Sequence, residues 1–367
     1  MAGSTPSSAA RIRWKTLATA LRTGVVDLRD SDCGVLPDTK AAKDISAMLF
    51  GRSELLIPLQ QNDPPVKWLE LVPLRPKWDE NTDQMTAANY PHVRVYTSLS
   101  DLVSGDNTQG DKLAILSGFD NTGNVFIWPC ELILGHSFFY PELYPGLYRI
   151  FDRIFQPGSV KRVCELGAGM TGLGGLSAAV SGVCLHPALN PSLVVLTDGN
   201  QRCVDSLCAI RDHQRARYRE NSNGLCAPVQ LEVEKLVWPQ DAEAPLEMTD
   251  SQFCTKYDLI IAADCFFDTR GHIGLLRLID ALLPNSKIPS AFIAIAPQRG
   301  GTLQSFIHTV QSSGGWTVDS VLPEEFISEE LWTSLLRALP HLTREFVLDK
   351  VIGHLFVVQR IQDDSDS

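Results

Sequence analysis

The sequence predicts an α/β protein in which a mainly parallel sheet, covered on both faces, follows a smaller α+β appendage. Three observations carry that prediction. Seven short apolar runs alternate with helical segments between residues 160 and 360, the pattern left by strands buried on both sides. A glycine-rich bend, Gly167-Ala168-Gly169-Met170-Thr171-Gly172, joins the first of those runs to the first helix. Finally, 44% hydrophobic and 20% charged residues in a chain of 367 supply a large core without disulfides or metal as supports.

The elements follow in order. Residues 1–10 are small and polar and are expected to be disordered. Residues 11–22 set Trp14, Leu17, Ala18 and Leu21 beside Arg11, Arg13 and Lys15, which suits a short amphipathic helix docked on its own domain or on a partner. Between residues 55 and 116, the runs 55–57, 67–72 and 93–96 alternate with proline and asparagine turns, predicting strands and irregular links of modest independent stability. The expected division is therefore a tail over 1–10, an appendage over 11–115, the main domain over 116–362 and an acidic tail over 363–367.

Within the main domain, strands are expected at 162–166, 193–197, 229–233, 257–262, 292–296, 316–321 and 354–360. Helices fall at 173–180, 203–218, 273–283 and 303–312. The insertion 323–349 contains Glu324, Glu325, Phe326, Glu329, Glu330, Trp332, Leu335 and Leu336, and reads as a helix with an acidic and an apolar face. It would either wall a partner's peptide or simply pack.

Charge and cysteine usage narrow the function. With 32 basic and 43 acidic side chains the formal charge is -11, which disfavours a general nucleic-acid surface because phosphate is repelled. Nine cysteines cannot all pair within one chain, no Cys-x-x-Cys occurs, and the eight histidines form no metal-binding pattern. Buried reduced thiols and no metal are expected. No run approaches the ~18 apolar residues of a membrane span. A soluble protein of the cytoplasm, with the nucleus left open and a monomer favoured, is the expectation.

The candidate site lies at the glycine bend. Gly167 allows backbone angles closed to other residues, and Gly169 removes a side chain where a ligand would meet the backbone. Taken alone, this spacing also fits a dinucleotide fold, with pyrophosphate on the helix N-terminus. Glu165 tips the balance, because a carboxylate there repels pyrophosphate but could hold the cationic amino-acid end of S-adenosylmethionine, directly or through water. Asp198, ending the next strand, offers two oxygens to the two ribose hydroxyls. Asp264 follows the fourth strand, where open sheets bind ligands, and would position cofactor or an incoming amine. Phe266 and Phe267 would wall that site or belong to the core, and Trp238 would stack beside adenine or serve packing.

Together these elements resemble the seven-stranded, Rossmann-like class I methyltransferases. More closely, they resemble the calmodulin-lysine N-methyltransferase family. The resemblance is carried by Phe119-Asp120-Asn121-Thr122-Gly123-Asn124 with Trp128-Pro129, by Cys164-Glu165-Leu166-Gly167-Ala168-Gly169-Met170-Thr171, by Leu196-Thr197-Asp198-Gly199-Asn200, by Ala263-Asp264-Cys265-Phe266-Phe267, and by Ala296-Pro297-Gln298-Arg299-Gly300-Gly301. It spans about residues 116–360. It implies S-adenosylmethionine as cofactor and trimethylation of a calmodulin lysine. It also implies Trp128 in the cofactor pocket, and Asp264, Phe266 and Phe267 at the transfer site. Asn121 and Arg299 are assigned to the protein substrate. Gln298 stands where the family usually has a basic residue.

Acidic calmodulin approaching a chain of this charge needs a local basic face, for which Arg299, the cluster Arg211, Arg215, Arg217 and Arg219, and the group Arg11, Arg13 and Lys15 are candidates. The rival readings are methylation of another protein, a noncatalytic interaction protein on the same fold, and a nicotinamide oxidoreductase. The last leaves Trp128 and the Asp264 segment without roles and lacks a Tyr-x-x-x-Lys pair.

Overall fold

The computed structural model describes residues 39–58, 65–74, 93–96, 127–181, 186–221, 229–239, 243–284, 288–297 and 301–361. The expected disordered tail, the 11–22 helix, Asn121, Gln298, Arg299 and the acidic tail lie outside them.

The central sheet has seven strands in the order β6-β5-β4-β7-β8-β10-β9. Its members are β4 (Val160–Leu166), β5 (Leu189–Asp198), β6 (Gln230–Lys235), β7 (Leu259–Ala263), β8 (Ala291–Ala296), β9 (Trp316–Val321) and β10 (His354–Arg360). Five are parallel, and β10 runs antiparallel to both β8 and β9. All seven expected strands are present. Their lack of alternation has a direct cause, because successive residues feed two different cores. Val163, Leu259, Ile261, Ile293, Ile295, Leu355 and Val357 pack on one face. Cys164, Leu166, Ile260, Ala262, Phe292, Ala294, Phe356 and Val358 pack on the other.

The first face is shared with the appendage. There α1 (Thr39–Leu49) precedes an antiparallel sheet of β1 (Phe50–Pro58), β2 (Pro65–Pro73) and β3 (Val93–Tyr96). Ile45, Leu49, Phe50, Trp68, Leu71, Val93 and Val95 are buried in the same apolar cluster as the central strands. The appendage therefore shares a core with the main domain rather than building its own. The seam is also polar. His136 lies 2.8 Å from both the Tyr144 hydroxyl and the Leu74 carbonyl, and the Phe50 ring meets it edge-on. Arg94 pairs with Glu70 at 2.8 Å and reaches His213 at 3.3 Å.

Two helices close this face, α2 (Pro129–Ser137) and α3 (Pro145–Ile154). All nine residues of α2 are buried, so it has no polar side and no helical period to read. The 323–349 insertion is not one helix. It divides into α9 (Pro323–Phe326), α10 (Glu329–Ala338) and α11 (Arg344–Phe346), the last running into a π-helical turn (Val347–Ile352). Phe326, Leu331, Trp332 and Leu335 are in the main core, which favours plain packing over a free apolar wall. The remaining helices, α4 (Leu173–Val180), α5 (Gln201–Asn221), α6 (Asp250–Cys254), α7 (His272–Leu282) and α8 (Thr302–Ser312), lie between sheet strands in the chain.

Candidate active site

The chain order reverses across β4, which pairs with β5 on one side and β7 on the other. A crevice at such a reversal, beyond the carboxyl ends of the strands, is where open sheets bind ligands. Three glycines after β4 take left-handed angles: Gly167 at φ 62°, Gly169 at 60° and Gly172 at 55°. Their surroundings separate their roles. A Cβ on Gly167 would sit 2.7 Å from the Cys265 sulfur and 3.1 Å from Trp238, and one on Gly172 would sit 2.9 Å from both Leu196 and Leu207. Those two permit close packing. A Cβ on Gly169 meets nothing within 4 Å, so its missing side chain leaves open space for a ligand.

The acids organise this bend. Asp198 at the end of β5 accepts Gly169 N–H at 2.9 Å with one oxygen and Asn200 N–H at 2.8 Å with the other. It fixes the bend against β5. Glu165 is only 1% exposed, and its carboxyl accepts Gly175 N–H at 2.8 Å, which caps the start of α4.

A second acid that the sequence reading missed, Glu131 of α2, completes the cap. It accepts the Thr171 hydroxyl and Leu173 N–H, the latter at 3.1 Å. Burial pushes the Glu131 carboxyl up to about 7. It pushes Glu165 to about 8, with the Glu131 charge adding to the rise. Only the local pattern Trp128-Pro129-x-Glu131, proline at the first helical position with an acid in the first turn, hinted at a helix start here.

This cap bears on the class of cofactor. A helix N-terminus binds phosphate through free N–H groups and its positive end. Here Leu173 N–H and Gly175 N–H at the start of α4 already donate to the two acids, which leaves fewer donors for a pyrophosphate. A ligand without phosphate, with hydroxyls for Asp198 and a surface for Gly169, fits.

On the opposite side, Asp264 follows β7 with φ 56°, the one positive value at a non-glycine among the described residues. Its N–H donates to the Ile295 carbonyl at 2.9 Å, which pins this strained residue at the strand end. Next to it, the Cys265 thiol donates to the Leu166 carbonyl at 3.3 Å beneath the glycine bend.

Phe266 takes the core position, one of the two places expected for it. It is 2% exposed, its ring lies 4.5 Å from Phe306 and 4.9 Å from Phe356, and its carbonyl contacts His272 at 3.2 Å. It is a core ring. Phe267 stays half-buried beside it and Trp238 is half-buried across Gly167 and Gly271. Trp128, also half-buried, caps α2 beside Glu131. In the arginine cluster, Arg211 pairs with Asp212 at 2.8 Å and Arg215 with Glu232 at 2.6 Å, which offsets much of the basic face expected there.

A sheet of this order, with acids ending both neighbours of β4 and the helix N-terminus already capped, defines a Rossmann-like methyltransferase that uses S-adenosylmethionine. The lysine methyltransferase family model matches residues 111–313, and the chain belongs to that family. A calmodulin-lysine N-methyltransferase of Arabidopsis thaliana is 28% identical over 315 residues, covering 84% of this chain and 84% of that protein. Likeness to solved structures is looser. The plantazolicin methyltransferase BpumL in complex with SAH matches 72% of this chain and 94% of its own at 12% identity and a TM-score of 0.34. The METTL16 methyltransferase domain matches 59% and 67% at 13% identity, also at 0.34.

Proposed function

We propose that this enzyme trimethylates a lysine of calmodulin in the cytoplasm. The observation that carries the substrate is the 28% identity to a calmodulin-lysine N-methyltransferase across 84% of both chains. Bound S-adenosylmethionine supplies a methyl group on a sulfonium whose leaving group is neutral. The chain's own residues have to hold, orient and desolvate.

In this reading Asp198 receives the ribose hydroxyls, the Gly169 backbone lies against the ligand, and Trp128 and Trp238 form pocket walls. Asp264 captures the incoming ammonium, and the half-buried ring of Phe267 lines its path. A free lysine titrates near ~10.4, so presenting it neutral near pH 7 requires a shift of about three units. Apolar surroundings favour the neutral amine while Asp264 favours the cation. Asp264 thus acts in capture and alignment, with the proton passing to water before attack. Asn121 and Arg299 are proposed to contact the protein substrate, Arg299 as part of the basic face that acidic calmodulin needs against a formal charge of -11.

Intact-mass measurement after incubation with S-adenosylmethionine and calmodulin tests the proposal. Calmodulin gaining three methyl groups is the expected result. Cofactor binding with unmodified calmodulin, and modification of a different protein, would transfer the activity to another lysine substrate.

A further inference from the structure

We propose that Glu131 is a positioning residue for the cofactor pocket: one buried carboxylate that ties the Trp128 wall to the glycine bend. The proposal rests on the S-adenosylmethionine reading above. Glu131, in the first turn of α2 three residues after Trp128, is 6% exposed, and two donors from across the bend meet on it. The Thr171 hydroxyl comes from the outgoing limb of the bend and Leu173 N–H from the start of α4.

The contact occurs where α2 and α4 cross at close range. A Cβ on Gly135 would lie 2.9 Å from Leu173 and 3.1 Å from the Ser177 hydroxyl, so only glycine allows this approach. A carboxylate taken out of water is tolerated when several donors replace its hydration. Glu131 has the Thr171 hydroxyl and Leu173 N–H, and Glu165 has Gly175 N–H. The result is a rigid floor joining Trp128 to the bend that carries Gly169. Glu131 itself is buried and is not proposed as a ligand contact. Its effect would pass through the placement of Trp128 and of the bend.

The test compares the full-length protein with Glu131→Gln and Thr171→Val. The second removes a single donor while keeping side-chain shape, so it stays informative if the first folds poorly. Titration calorimetry with S-adenosylmethionine and steady-state kinetics are read together. We expect the dissociation constant for the cofactor to rise about tenfold in Glu131→Gln and about threefold in Thr171→Val. Turnover at saturating cofactor and the KM for the protein substrate should stay within about twofold. Unchanged cofactor affinity in both folded variants, or a loss confined to turnover, overturns the clamp. Absence of measurable cofactor affinity in the unaltered protein overturns the methyltransferase reading itself, so the two failures are distinct.

Discussion

The site and the appendage seam both bury ionisable groups, with opposite results. At the site, burial raises Glu131 and Glu165 to about 7 and about 8, so they titrate near neutrality. At the seam, burial drives His136 down to about 4, and burial with the charges of Arg94 and Arg217 does the same to His213. The difference lies in which form carries charge. A buried acid keeps its proton longer, whereas a buried imidazole refuses one. The joint between the two sheets therefore stays in a single charge state at neutral pH, while the wall of the cofactor pocket does not.

The largest expected effect is the titration of the acid pair. Both carboxyls have folded values above their ordinary 4.5, so the folded state binds more protons. Their contribution should be greatest below pH 4.5 and should decline as pH rises through about 7 to about 8. Urea unfolding across that range should show a loss of several kcal/mol, and Glu131→Gln should remove the Glu131 share of it while the Glu165 share, set mainly by burial, persists. An unchanged slope in that variant would break the comparison on the site side.

The seam should show the opposite slope. His136 has a folded value of about 4 against an ordinary 6.5, so the stability it permits is present above pH 6.5 and is lost as pH falls through about 4. His136→Ala should remove that acid-side slope. It should also cost about 3 kcal/mol at neutral pH, by leaving the Leu74 carbonyl and Tyr144 hydroxyl without this partner. Cofactor affinity per folded molecule should not change. A parallel loss of affinity would show that seam and site are one unit.

Two smaller tests sharpen the site itself. Asp198→Asn should weaken S-adenosylmethionine binding about 30-fold, corresponding to about 2 kcal/mol for charge-assisted hydrogen bonds. Gly169→Ala places a Cβ in open space at φ 60°, so it should cost stability only the backbone strain of about 1 to 2 kcal/mol while weakening cofactor binding about tenfold. Equal affinities in Gly169→Ala and wild type, by calorimetry, would show that the ligand does not lie against this backbone.

What could be read beforehand follows from how local each cause was. The seven strands were legible because double burial writes an uninterrupted apolar run. The positions of Asp198 and Asp264 were legible because a strand end fixes them. Helix α2 was hidden by its complete burial, since without a polar side there is no period to detect. Glu131 was hidden because its partners Thr171 and Leu173 lie 40 and 42 residues away. Phe266 and Phe267 differ by one step of the backbone, and the left-handed turn at Asp264 decides which ring enters the core. No sequence period survives such a turn. Glu165 was found, but its partner Gly175 N–H comes into place only when the bend folds back.

The place of β10 bears on how the molecule is made. Its seven residues, His354–Arg360, sit between β8 and β9, and in this sheet β9 has no neighbour besides β10. While the polypeptide is still emerging from a ribosome, β8 presents a bare row of backbone donors and acceptors, and β9 has no place to dock, until β10 has been translated. A premature stop between residues 303 and 354 would therefore leave the pocket residues intact in sequence and the nascent product open along a sticky edge, a substrate for chaperones and proteases.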